Sequence, residues 1–320
     1  MDTVGSLGLW SGFAAIVVSM LAIDLLVAGG GREHHVSLKE AATWSVVWVA
    51  VTLAFASGLW WHLDGRLGRE VAHAKALEFI TGYLIEKALA VDNVFIWLML
   101  FSSFAVPVDL HKRVLLYGVL GAIVMRTVII FTGAWLIARA HWVLYLFGVL
   151  LLVTGVRMYW FADRAPNLEK NPLVKWLRRH MHITTEFHGE RFFVWQGGVR
   201  HATPLFLALV LVEGTDLIFA VDSIPAIFAI TTDPFIVLTS NIFAILGLRA
   251  MYFLLVGVAD RFSLLKYGLA FMLMFIGVKM LLIDLYRIPV GFSLAVIAVV
   301  IGASIWASLR KEARQRNGAP

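Results

Sequence analysis

Apolar residues run along this chain in long continuous blocks, without the alternation of strands or the single stripe of soluble helices. The blocks fall at about 7–28, 41–61, 79–104, 114–138, 142–161, 204–230, 235–258, 264–286 and 289–309. A helix needs about 20 apolar residues to cross a hydrocarbon core of about 30 Å. The pattern therefore predicts an all-α, polytopic membrane protein with nine transmembrane helices. The first block is too long for a signal-peptide core, has no basic residue before it, and is followed by GGGREHH, so it reads as a retained helix.

Composition agrees with the pattern. Hydrophobic residues make up 60% of the chain and charged residues 15%, against roughly 25% charged in a soluble domain. The mean hydropathy is +0.84. With no cysteine in the sequence, disulfides, thiolate metal sites and cysteine nucleophiles are excluded. The pI of 9.6 does not imply nucleic acid, because basic residues of a membrane protein first serve to fix orientation. With nine spans, sixteen basic residues fall on one side, among them Lys112, Arg113, Arg178, Arg179 and Arg310, and five on the other: Arg66, Arg69, Lys75, Arg139 and Arg287. The richer side is cytoplasmic, which puts the N-terminus outside, the C-terminus inside and the basic loop 162–203 in the cytoplasm.

The blocks are internally related. LAVDN at 89–93 resembles FAVDS at 219–223, and the acids Glu86 and Asp216 each stand six residues before an aspartate, Asp92 and Asp222. The next helix in each half carries one central arginine, Arg126 or Arg249. The third ends in YLFGVLLLVTGVRM (145–158) or YGLAFMLMFIGVKM (267–280). One membrane domain, 1–320, is thus expected to hold repeat one at 79–161 and repeat two at 204–286. Three helices is an odd number, so the second copy enters from the opposite face, as in secondary transporters whose site lies between inverted repeats at the midplane.

Within these helices lie Glu86, Asp92, Glu213, Asp216 and Asp222, with Arg126, Arg157, Arg249 and Lys279 as charge-compensating or gating residues. An ionised side chain at a helix centre costs about 2.5–3.5 kcal/mol. Ion pairs between helices account for the bases. The acids are in excess, and clustered carboxylates repel unless protons or a cation sit among them. Asn93 and Ser223, beside the acids, add neutral oxygens. Oxygen ligands without thiolate or imidazole suit Mg²⁺, Ca²⁺ or Mn²⁺. Along a straight helix Glu213 and Asp222 point to opposite sides. Either residues 211–230 unwind near Pro225, which frees the carbonyl of Val221, or Glu213 serves an access path. Asp24 lines a path or lies at a solvated helix end. His180, His182 and His188 sense metal or belong to a basic loop held at the anionic leaflet.

EFITGYLIEKALAVDNVFIWLMLF (78–101) and LVEGTDLIFAVDSIPAIFAITTDPFIVLTSNIFAILGLRAMYFLL (211–255) resemble the signature blocks of the TerC family, within the LysE-type transporter superfamily. The resemblance implies export of Mn²⁺ across the bacterial inner membrane, with Glu86, Asp92, Glu213, Asp216 and Asp222 on the metal path. Calcium and tellurite transport are also associated with the family, as are metal loading of exported enzymes and membrane-protein biogenesis.

The expected mechanism is Mn²⁺/H⁺ antiport, with no permanently bound cofactor. Moving a divalent ion outward against 100 mV costs about 4.6 kcal/mol, and carboxylates that bind either metal or protons supply the coupling. The alternative is a membrane-protein biogenesis or metal-loading partner of the secretion machinery, docked through the basic loop; the expected partners are the divalent cation, membrane lipid and either a second copy of the chain or the secretion machinery. An aspartyl protease dyad is disfavoured because the sequence lacks a GxGD motif, and without a phosphate-binding glycine loop there is no sign of ATP-driven pumping.

Overall fold

In the computed structural model, residues 3–28, 37–140, 142–161, 172–256, 264–286 and 288–317 are described. Helices dominate: α1 (Leu7–Ala28), α2 (Leu38–Leu67), α3 (Arg69–Ser103), α4 (Val108–Arg139), α5 (Val143–Phe161), α6 (Pro172–His180), α7 (Pro204–Phe228), α8 (Pro234–Leu246), α9 (Leu248–Val256), α10 (Leu265–Leu281) and α11 (Val290–Asn317). Strands β1 (Phe193–Gln196) and β2 (Val199–Ala202) form one antiparallel hairpin. Among the described residues, seven segments are long and apolar enough to cross a membrane: those of α1, α2, α4, α5, α7, the α8–α9 pair and α11. The chain is an all-α polytopic membrane protein.

Local chemistry sets the helix starts. Ser37 caps α2 by accepting from the Glu40 amide at 3.2 Å, a pairing of Ser and Glu that satisfies amides with no partner inside the helix. Asp233 caps α8, with Pro234 at the first helical position, where its missing N–H costs nothing. The same carboxylate accepts from Thr3 Oγ1 at 2.7 Å and the Val4 amide at 3.0 Å. The chain before α1 is thereby pinned to the start of α8. Gly68, at φ 88°, makes the one-residue turn between α2 and α3.

The α8–α9 pair is the centre of the bundle. Of the most apolar window in Pro234–Val256, 94% is buried, because α1, α2, α3, α4 and α7 all pack against this pair. A helix that is hydrophobic all round needs cover from other helices or from lipid, and here the cover is helices. The break at Gly247 has a local cause. A Cβ there would stand 2.6 Å from Lys87 Nζ, and that half-buried ammonium donates to the Ala244 carbonyl at 3.2 Å, capping the end of α8.

α3 and α7 run antiparallel: Gly82 approaches Ile227, and eleven residues on Asn93 meets Asp216. α5 and α10 also run antiparallel and pack backbone to backbone, Gly148 against Gly277 and Gly155 against Ala270. A Cβ on Gly277 would lie 2.8 Å from the Leu152 amide nitrogen and 2.9 Å from the Gly148 carbonyl. Small residues are what let membrane helices approach this closely. Gly277→Ala must push two backbones apart, and overpacking of this kind costs about 1–3 kcal/mol. A lowered melting temperature of the detergent-solubilised protein is the expected result. Gly302→Ala, whose Cβ meets open space, serves as the control.

The basic segment expected as a loop is partly folded. Its described part holds α6 and the hairpin, whose turn residues Gly197 and Gly198 adopt φ 59° and 79°, values that suit a two-glycine hairpin turn.

Candidate functional site

Where α3, α4, α7 and α8 cross, one arginine sits among acids. Arg126 of α4 is fully buried. Its guanidinium grips Asp216 of α7 side-on, Nε donating to Oδ2 at 3.1 Å and Nη2 to Oδ1 at 2.7 Å. Nη1 donates to Glu86 Oε1 of α3. The fork of the guanidinium suits this two-sided grip, which a lysine point charge cannot reproduce. Glu86 and Asp216 are each 1% exposed, so no bulk water screens them.

Neutral groups complete the ring. Asn241 of α8 donates through Nδ2 to Glu86 Oε2 at 3.0 Å, and its Oδ1 lies 3.4 Å from Arg126 Nη1. Ser223 Oγ stands at the same 3.4 Å. Asn93 donates to Asp216 Oδ1 at 3.2 Å, which leaves its own buried Oδ1 with no partner among the described residues. A buried oxygen without a donor is costly and rare.

The other expected acids stand apart from this centre. α7 is continuous through Phe228, so Pro225 does not unwind it as one reading of the sequence required. The proline lies in the last turn, and the N–H it lacks falls beyond the stretch that holds Glu213 and Asp216. Glu213 and Asp222 accordingly face different helices. The Glu213 carboxylate fills the space over Gly121 of α4, where any Cβ would collide with it. Asp222 accepts from Thr154 Oγ1 of α5 at 3.0 Å, within electrostatic reach of the exposed Arg157. The side chain of Asp92 lies outside the described residues. Among the described residues, no group of three or more His, Asp or Glu side chains is close enough to hold a metal ion.

Arg249 does not mirror Arg126. It stands just past the break at Gly247 and pairs with Asp24 of α1, Nη2 to Oδ1 at 2.6 Å. Asp24 is therefore neither at a solvated end nor on a path beside the centre, but a buried partner, 7% exposed. Lys279 donates to Ser293 Oγ of α11 at 2.9 Å, again away from the acids. Of the loop histidines, His180 and His188 bond to the nearby carbonyls of Trp176 and Glu186.

Asn241, Lys87 and Thr154 went unnoticed in the sequence. Asn241 left a signal, an amide in the apolar run VLTSNIFAIL. Thr154 left none, since membrane helices commonly turn threonine hydroxyls onto their own backbone.

Residues 71–316 match the family described as "Integral membrane protein TerC family". The chain belongs to the TerC family. An Escherichia coli K12 protein named "Putative membrane-bound redox modulator Alx" is 57% identical over 322 residues, covering 99% of this chain and all of its own. A Myxococcus xanthus uncharacterized membrane protein is 48% identical over 309 residues, with 97% and 94% covered. A Rickettsia bellii uncharacterized membrane protein is 37% identical over 300 residues, with 94% and 96% covered. No solved structure matches. In TerC-family terms, both signature blocks supply the central ring: Glu86 and Asn93 come from the first, Asp216, Ser223 and Asn241 from the second.

Proposed function

We propose that this chain is an inner-membrane secondary transporter that exports a divalent cation, Mn²⁺, from the cytoplasm in exchange for protons. The observation that carries the proposal is a charge imbalance. At the centre Glu86 and Asp216 share the one guanidinium of Arg126, and on α7 two further half-buried carboxylates stand apart, Glu213 over Gly121 and Asp222 within electrostatic reach of Arg157. Asp92 adds a fifth acid to α3. A purely structural ion-pair network balances its charge, since unpaired charge in hydrocarbon is expensive. Excess carboxylates need protons or a metal, and a group that takes either is a means of exchange. A permanently bound cofactor has no part in this reading.

Contacts between helices favour the inverted-repeat organisation. Counting α3 and α10 with the seven apolar segments gives nine spans, so that α3–α5 forms one repeat and α7–α10 the other. Exchanging the repeats turns the Gly148–Gly277 contact into Ala270–Gly155, its observed counterpart. It likewise relates Glu86 to Asp216 and Asn93 to Ser223, all of them around Arg126. The antiparallel crossing of equivalent helices is what a two-fold axis in the membrane plane produces. The positive-inside count supports an outside N-terminus.

Docking to the secretion machinery or metal loading of exported enzymes is the second reading. It is favoured by the folded basic segment, where Trp176 and Trp195 are exposed. The redox role in the name of the Escherichia coli relative would not act here through thiol exchange, because the chain has no cysteine. Uptake of Mn²⁺, Ca²⁺ and Mg²⁺ into inside-out vesicles, with and without residues 172–203, separates the readings. Mn²⁺ uptake above the other two ions, surviving the deletion, is the expected outcome. Uptake of none of the three ions contradicts the transport reading.

A further inference from the structure

A fully buried arginine is an unusual choice of structural clamp in a site meant to admit a cation. Guanidinium stays protonated under all ordinary conditions, so Arg126 cannot neutralise itself by losing a proton. Its charge remains between Glu86 and Asp216 until the side chain moves. Together the two carboxylates carry the charge that one divalent ion carries with opposite sign. With the guanidinium retained they do not, and a metal bound beside it would leave the buried centre positive.

We propose that Arg126 is the resident counter-cation of this site: it occupies the place between Glu86 and Asp216 that the transported divalent cation takes, and loading exchanges one for the other. The inference rests on the transport reading of the site. Three features of the surroundings fit an exchange better than a fixed pair. Ser223 Oγ and Asn241 Oδ1 already stand 3.4 Å from Nη1. They are neutral acceptors to which the guanidinium can shift without leaving the bundle. Asn93 Oδ1, buried and without a partner among the described residues, is a hard oxygen suited to a cation. Asn93 and Asn241 meanwhile donate to Asp216 and Glu86 through their amides, which holds both carboxylates in place as the cation changes.

The exchange gives the cycle a non-leaking return. Two bare carboxylates at the midplane would draw in any cation, whereas a tethered one keeps the site filled between turnovers. Competition also lowers the apparent metal affinity by the fraction of time the site is free, which eases release on the far side.

The test is thermal unfolding and Mn²⁺ binding of the purified full-length protein, wild type against Arg126→Gln. Without divalent cation the variant should melt well below wild type. Mn²⁺ should restore most of the difference, and the variant should bind Mn²⁺ at least about tenfold more tightly than wild type. An equal depression of melting with and without Mn²⁺, Ca²⁺ or Mg²⁺ would make Arg126 a static clamp and overturn the proposal. If Arg126→Gln does not fold, Arg126→Lys replaces it. Lysine cannot hold both carboxylates in the same fork, so its Mn²⁺-induced rise in melting temperature should exceed that of wild type, and an equal rise overturns the proposal. Rescue by Ca²⁺ or Mg²⁺ but not Mn²⁺ upholds the exchange and removes manganese as the cargo. The two ideas therefore fail separately.

Discussion

Asp216→Asn is expected to abolish divalent-cation exchange while leaving the protein folded. The two effects separate because of the charge at the centre. Glu86, Asp216 and Arg126 together carry a formal excess of one negative charge in a place fully closed to water. Asparagine keeps one oxygen to accept from Arg126, turns an amide N–H₂ toward the guanidinium's other donor and removes the excess charge, so the melting temperature of the purified variant should fall without loss of the fold. The same change takes away half of the anionic pair, and the remaining Glu86 is neutralised by Arg126 alone. A divalent cation then finds no net charge to bind, and exchange in proteoliposomes should drop to the level of empty vesicles. A variant that transports at the wild-type rate would remove Asp216 from the path. One that no longer folds would show the acid to be structural.

Asp24→Ala is expected to act in the opposite sense, on stability. Arg249 is 8% exposed, pairs with Asp24 at 2.6 Å and lies within electrostatic reach of Glu40; its Nη1 has no acceptor among the described residues. Removing one member of a buried pair leaves a poorly compensated charge, at a cost of up to about 3–5 kcal/mol, which Glu40 reduces. The change lies on α1, away from the central ring, so Mn²⁺ exchange per folded molecule should stay near wild type. The checks are the melting temperature in detergent and the transport rate normalised to monodisperse protein. Unchanged melting would mean that the pair contributes little. A loss of exchange in a stable variant would place Asp24 on the path.

Much of this fold was legible because apolar length is nearly its only requirement in a membrane. Each apolar block of the sequence fell on a helix or, for 235–258, on the α8–α9 pair. What the blocks hid was the break within that pair. Gly247 reads as one glycine in an apolar run; its meaning lies in Lys87, more than a hundred residues away in sequence, whose ammonium needs the space. The hairpin of the basic segment was visible in WQGGVR, two glycines between short β-prone runs, but charge and membrane length drew the reading elsewhere.

The site was legible in its members and not in their arrangement. Spacing placed Glu86 and Asp216 at equivalent positions, and they do face one another across a shared arginine. Spacing also showed that Glu213 and Asp222 would diverge along a straight helix, and in the continuous α7 they do. It did not show that Arg126 would fill the centre while Arg249, expected to match it, would turn instead to Asp24. That asymmetry depends on the break before Arg249 and on a partner in α1.

The central claim is that this buried ring exchanges a divalent cation for protons. The most direct measurement uses proteoliposomes loaded with Mn²⁺ and given an acidic exterior, with internal pH and Mn²⁺ efflux followed together. The account expects efflux that depends on the pH difference, accompanied by acidification of the interior, and neither in the Asp216→Asn variant. Efflux indifferent to the pH difference, or acidification without Mn²⁺ movement, would contradict it.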